Sequence, residues 1–304
     1  MPEIHSTALV SPDADVAPDV RIGPYAIVEP RVRIGPGTSI GAGAYICSGT
    51  TIGERNDIHM YAVIGHTPQD VHFEGHETFC EIGDGNAVRE FVTIHRGTQP
   101  GSTTRVGSGC MLMATSHVAH NCILGDGVIL ANGALLAGHV EVGANAFVSG
   151  HALVHQFVRI GRLAMVAGGA RVSRDVPPFC LMSGESLLHG VNRVGIRRAG
   201  LAREAVAGIG RAYRALFMSD DPPDEAARAL LAGDTASPCC PPVQTAVSAD
   251  RQAHGGVTEA HEMAEFVLAA KRGVCRASGR RRSAPPKAGL SADTAGGDGM
   301  DACD

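Results

Sequence analysis

Ten of the fourteen histidines lie between residues 59 and 155: His59, His66, His72, His76, His95, His117, His120, His139, His151 and His155. An even scatter would place far fewer there. Imidazole suits proton transfer near neutral pH, and it also binds zinc. The densest run is LMATSHVAHNC at 112–122, with His139 nineteen residues beyond His120. Three readings stay open on these residues alone: a general base for a hydroxyl or amine, a zinc site drawn from His95, His117, His120 and His139, or satisfied polar surface groups.

The residues between the histidines say what must hold them. Aliphatics recur every six positions from Ile4 through Val10, Val16, Ile22 and onward to Ile64, and again from Val106 to Val172, with Ile82, Val88 and Ile94 in phase. A helix cannot keep such a stripe on one face, and a flat strand shows period two. Short strands joined by tight corners can, three to a turn, stacking the stripe into a continuous interior. The residue four after each aliphatic is usually small, and the one immediately after the aliphatic is often Gly, a grammar that suits a corner where the backbone turns sharply and only Gly or a small side chain fits. On this register His117 and His120 flank a strand and a corner and face outward, with His139 about one coil further on. The rhythm lapses at 65–81 and 97–105 but resumes in phase, so both stretches read as loops extruded from intact coils.

After Val172 the run SRDVPPFC places two prolines where the solenoid is expected to end. Helices are expected over 201–217, 224–232 and 258–271, with a linker over 233–256 and a low-complexity, disordered tail over 278–304. The formal net charge of −5 and 19% charged residues argue against nucleic acid as a partner and against a disordered chain. No apolar run nears the roughly 20 residues that span a bilayer, and Met1–Ser6 lacks the start of a signal peptide, so a soluble, unexported protein is expected. Nine cysteines, an odd number without a CxxC spacing, point to reduced thiols rather than a zinc ribbon or disulfide framework.

Several segments taken together are specific: IHSTALV, GHTPQDVHFEGHETFCEIGDGNAVREFVTIHRGT, LMATSHVAHNC, ILANGALLAGHVEVG, LVHQFVRIG, RDVPPFC and HGVNRVGIRRAGL. Over residues 4 to about 220, and again at about 258–276, the chain resembles the cytoplasmic UDP-N-acetylglucosamine 3-O-acyltransferases that begin lipid A synthesis. The resemblance implies a left-handed parallel β-helix of about eight to ten coils over 1–180 and a helical C-terminal domain over 181–277. It also implies a homotrimer and a reaction without metal or organic cofactor.

By the same resemblance His120 is the general base that accepts the proton of the glucosamine 3-hydroxyl as it attacks the thioester of an (R)-3-hydroxyacyl carrier protein, and the Gly138 N–H meets the oxyanion. Asn121 stands where the family has Asp beside the base. The sugar nucleotide falls to Gln69, Asp70, His72, His95, His117, His139, His155 and Gln156, with His72 where the family often has Lys. Asn192 and Arg198, with Arg197, serve the acyl and carrier side, where Val194 replaces an acid and Ala199 an arginine. Met165 and Gly168 match the acyl-chain ruler.

A basic patch for the acidic carrier is expected from Arg159, Arg162, Arg171, Arg174, Arg193, Arg197 and Arg198. The alternatives are an acceptor with a 3-amino group, a weakly active or inactive homologue, and a zinc enzyme of the γ-carbonic-anhydrase type. Against the last, the histidines of HVAH are more closely spaced than that family's pair. The later N-acyltransferase of the pathway carries an extra N-terminal domain, whereas repeats here begin at Ile4.

Overall fold

The computed structural model describes residues 1–233 and 258–278. Strands of two to four residues follow one another from Glu3–Ile4 to Arg171–Val172, and every third one pairs in parallel. The result is a left-handed parallel β-helix with three flat faces. One coil takes eighteen residues, so Ile22 pairs with Ile40 and Ile40 with Ile58. Each strand contributes one inward aliphatic, and Ile46, Ile58, Ile64, Leu112, Leu130 and Leu136 are wholly buried. Each such side chain stabilises the coil by about 1.5–3 kcal/mol. Ala26, Ala44, Ala62 and Ala134 fill one column of inner corners, with Val92 buried in the same column. At a third corner Asn56 Oδ1 accepts from both the backbone and side-chain N–H of Asn86, whose own Oδ1 accepts from Cys110 N–H.

The glycines that follow the aliphatics do not make the turns, contrary to the sequence expectation. The left-handed backbone conformation falls three residues after the aliphatic, at Tyr25, Arg31, Asn121, His139 and Phe157 among others. Gly35 and Gly41 are instead sites of close approach. A β-carbon at Gly35 would lie 2.7 Å from the carbonyl carbon of Gly53, and one at Gly41 would lie 2.6 Å from the Met60 nitrogen.

Both sequence lapses are insertions at the same corner, between the second and third faces. Residues 67–78 separate the strands Val63–His66 and Phe79–Ile82, so that Ile64 pairs with Ile94. Residues 97–102 separate Thr93–His95 from Thr103–Val106, so that Ile82 pairs with Val106.

Pro177 and Pro178 do not end the sheet. Val176 still bridges to Ile160, and the strand Cys180–Ser183 continues the first face by pairing with Met165–Val166. That strand turns back as an antiparallel hairpin with Leu187–Val191, to which Arg276–Ala277 adds. The C-terminal part therefore begins with strands where helices were expected. Among the described residues four helices follow: α1 (Arg193–Arg198), α2 (Arg203–Phe217), α3 (Pro223–Ala232) and α4 (Glu259–Leu268). α2 buries Ile209, Ala212, Tyr213, Leu216 and Phe217. α3 ends on Gly233 in the left-handed conformation, and α4 starts on a Thr258 hydroxyl that accepts the His261 N–H. Apart from Gly233 and Ser278, the expected linker and tail lie outside the described residues.

Leu130→Ala should lower stability by about 2–5 kcal/mol, because the stacked coils cannot collapse into the void. Ile123→Ala, at a side chain 45% exposed on the outer surface, should change it by less than about 0.5 kcal/mol. Thermal unfolding midpoints of the two variants check the contrast.

Candidate active site

The histidines collect on the second face and on the corner that follows it. His117 sits on the strand His117–Val118 with its Nδ1 2.7 Å from the Thr93 hydroxyl one coil before. Its ring meets that of His95 edge to face at 4.9 Å, and His66 lies a further 6.0 Å from His95. His95 is only 5% exposed, and its Nδ1 has no hydrogen-bond partner. Burial, reinforced by His117, His66 and His120, pushes its pKa down to about 4. Burial and His120 also lower His117.

His120 ends this strand at the corner. Its Nδ1 lies 3.1 Å from Asn121 Oδ1, which also accepts the Thr98 backbone N–H at 3.1 Å and the Thr98 hydroxyl at 2.9 Å. The Asn121 N–H donates to the Thr104 hydroxyl at 2.7 Å. An amide oxygen carries no hydrogen, so Nδ1 must donate, and the neutral ring keeps its lone pair on Nε2.

Beneath this ring lies Gly138. A β-carbon there would stand 2.5 Å from His120 Nε2. The amides on either side are engaged, Ala137 N–H with the Val154 carbonyl and His139 N–H with the His120 carbonyl, while no backbone bond of the coil takes up the Gly138 N–H. His139 presents its ring edge to face with His120 at 5.2 Å and stacks on Phe157 at 4.7 Å. Burial first and then His120 lower the His139 pKa, with the Asp70 charge working against them.

That effect of Asp70 brings the 67–78 loop to the same corner. Asp70 Oδ1 accepts the His72 N–H at 2.9 Å and its carbonyl accepts the Phe73 N–H, a tight turn that leaves Gln69 and His72 exposed. Arg96 lies over the Phe73 ring at 5.8 Å, and Arg31 pairs with Glu77 at 2.6 Å, so the middle and the far end of the loop are tied to the coils. His155 and Gln156 are exposed in the coil after Gly138, with His155 Nδ1 3.2 Å from the Gln156 carbonyl.

Other sequence-selected residues lie elsewhere. Gly168 occupies the corner before the second face, with exposed Leu135 and Leu153 on the face between it and the histidine corner, and Met165 lies on the first face. Asn192 caps α1, its Oδ1 accepting Gly195 N–H and its Nδ2 donating to the Leu163 carbonyl, and it is buried. Arg198 is exposed in the last turn of α1.

Arg159 and Arg162 do not belong to an open basic patch. Arg159 pairs with buried Asp175, donates to the Phe266 carbonyl and covers the Phe266 ring, while Arg162 pairs with Glu262. Both hold α4 against the solenoid. Among the described residues no group of three His, Cys, Asp or Glu converges as a metal site would need.

Thr93, Thr98, Thr104 and Phe157 were not singled out from sequence. Register was the available signal, since Asn121, His139 and Phe157 are each eighteen residues apart and so stack.

Comparison with known proteins gives the following. Residues 175–275 match the family model described as UDP N-acetylglucosamine O-acyltransferase, domain 2, and residues 31–66 and 103–138 match the bacterial transferase hexapeptide repeat. An acyl-[acyl-carrier-protein]–UDP-N-acetylglucosamine O-acyltransferase of Halorhodospira halophila is 50% identical over 232 residues, 76% of this chain and 90% of that protein. The protein of the same name from Myxococcus xanthus is 49% identical over 77% and 92% of the two chains. The structure of the UDP-N-acetylglucosamine acyltransferase from Campylobacter jejuni superposes with a TM-score of 0.79 at 36% identity, over 90% of this chain and 99% of that one.

Two outcomes follow from the site geometry. Gly138→Ala should displace the His120 ring and lower turnover at least tenfold while leaving the fold intact, as kinetics beside circular dichroism would show. His95 binds its proton less readily folded than unfolded, so its contribution to stability is unimpaired above about pH 6.5, declines as pH falls toward 4 and levels off below that. The loss should reach roughly 3 kcal/mol, and His95→Gln should flatten the profile of stability against pH over that window.

Proposed function

The chain belongs to the family of acyl-[acyl-carrier-protein]–UDP-N-acetylglucosamine O-acyltransferases, and we propose that it transfers an (R)-3-hydroxyacyl group from acyl carrier protein to the 3-hydroxyl of UDP-N-acetylglucosamine, the first step of lipid A synthesis, with His120 as general base. The observation that carries this reading is the environment of His120: Nδ1 is held by an acceptor, and Nε2 stands close over Gly138, whose lack of a side chain admits the ring.

In the proposed reaction Nε2 takes the proton of the 3-hydroxyl as its oxygen attacks the thioester carbonyl. The Gly138 N–H receives the oxyanion. Collapse breaks the carbon–sulfur bond, and the imidazolium returns its proton to the departing thiolate, so the base is regenerated. His95, His117 and His139 stay neutral at pH 7 by burial. They therefore serve the sugar nucleotide as hydrogen-bonding groups and not as charges. Gln69, Asp70, His155 and Gln156 complete that side, and His72 approaches the diphosphate where the family often has a lysine.

For the carrier, the reading draws on a groove of about 920 Å³ between α1 and α2. Val191, Ile196, Leu201 and Val206 line it, with Arg193, Arg197, Arg203, Arg211 and Arg214 around them. An acidic protein would be steered to such a rim. Met165 and Gly168 would gauge the acyl chain. The protein would work as a cytoplasmic homotrimer whose clefts lie between copies, and none of the described helices is long and apolar enough to cross a membrane.

The test is transfer from (R)-3-hydroxyacyl carrier proteins of several chain lengths to UDP-N-acetylglucosamine and to its 3-amino analogue. Wild type should acylate the 3-hydroxyl, and His120→Ala should lose about 10²–10⁴ in kcat. Near-normal turnover by that variant would overturn the assignment of the base, and preference for the amine would change the acceptor.

A further inference from the structure

An Asp beside a catalytic imidazole is symmetric, because either carboxylate oxygen can accept the Nδ1 proton. Asn121 is not. With its oxygen toward His120 it stabilises the ring that carries hydrogen on Nδ1 and leaves Nε2 free to accept a proton. Flipped, its NH₂ would face Nδ1 and favour the opposite tautomer, with hydrogen on Nε2, which cannot accept a proton there. A chain with Asn at this position therefore needs something to fix the amide.

We propose that Thr98 is that positioning residue: by donating its backbone N–H and its hydroxyl to Asn121 Oδ1 it fixes the amide and so selects the tautomer of His120. The inference rests on the reading of His120 as general base. Two donors share the work: the backbone N–H cannot reverse its role, so a flipped Asn121 would set an NH₂ against it, and the hydroxyl donates a second bond to the same oxygen, without which the backbone bond alone holds the amide less firmly.

Thr98 is itself held firmly. It is only 4% exposed, and the 97–102 loop that carries it is pinned by the Arg96 N–H on the His66 carbonyl, the Gly97 N–H on the Phe79 carbonyl and the Gln99 N–H on the Ser102 hydroxyl. Asn121 is fixed from its other end by its N–H on the Thr104 hydroxyl. Thr98 lies within the inserted segment and Thr104 in the strand that follows it, so this insertion positions the base from the coil before it.

The experiment compares Thr98→Val and Thr98→Ser in the wild-type and Asn121→Asp backgrounds, reading kcat, KM and the nitrogen resonances of the His120 ring by NMR. In the wild-type background Thr98→Val should lower kcat about three- to tenfold, the worth of one hydrogen bond, with KM nearly unchanged and the Nε2–H tautomer rising. Thr98→Ser should restore both. In the Asn121→Asp background the same Val substitution should cost less than twofold, because either oxygen can then accept. Equal losses in both backgrounds with an unchanged tautomer would overturn the proposal and leave Thr98 a structural residue. If wild type transfers no acyl group, the resonances still decide: a shift in tautomer with Thr98→Val upholds the positioning role while the function falls, and no shift ends both.

Discussion

Everything at the candidate site depends on one distance, the separation of hydrogen-bonded strands, about 4.8 Å. Successive coils are locked at that spacing by the parallel ladder, so side chains eighteen residues apart stack at nearly the same interval. His139 stacks in this way on Phe157, eighteen residues on, at 4.7 Å, while His95 meets His117 at 4.9 Å and His120 meets His139 at 5.2 Å across neighbouring coils from positions not in direct register. Imidazoles so placed meet edge to face or stack with little freedom to rotate away. The scaffold thereby restricts the orientation of each ring before any substrate arrives.

The same lattice explains why the close-approach glycines matter more than the turning ones. A coil can turn its corners with Tyr25, Asn121 or Phe157 in the left-handed conformation at modest cost. It cannot accept a side chain between Gly35 and the Gly53 backbone without pushing two coils apart. Gly138 belongs to this class of position, but the group it admits is the His120 ring. An architectural rule of the repeat has there become a feature of the chemistry.

The solenoid was legible because its cause is periodic: inward aliphatics every six residues declare both the strand length and the corners. Most of the histidine cluster was legible for the same reason, as fixed register converts sequence spacing into height along the coil. What escaped was not periodic. Thr98 reaches Asn121 through an insertion whose path no repeat dictates. Arg159 and Arg162 looked like an open basic surface because their partners, Asp175 and Glu262, come from segments that the repeat does not place. The hairpin Cys180–Ser183 and Leu187–Val191 was hidden by the prolines before it. Pro177 and Pro178 have no N–H to donate, yet the neighbouring Val176 and Cys180 still join the sheet, so proline here interrupts the ladder without ending it.

In the proposed mechanism Asn121 offers no carboxylate to balance an imidazolium at His120, so the surroundings decide whether that charge is tolerable. Were His95, His117 and His139 to carry charge, three cations would crowd the ring within about two coil spacings, and at short range in a partly buried site such repulsion is strong. Burial keeps all three below their ordinary pKa. In the proposed reaction the burial that denies them a charge toward the diphosphate thus also spares His120 from its neighbours. A neutral column is the arrangement in which a base without an acid partner can still take up a proton, and its persistence depends on the coils staying dry and closely packed.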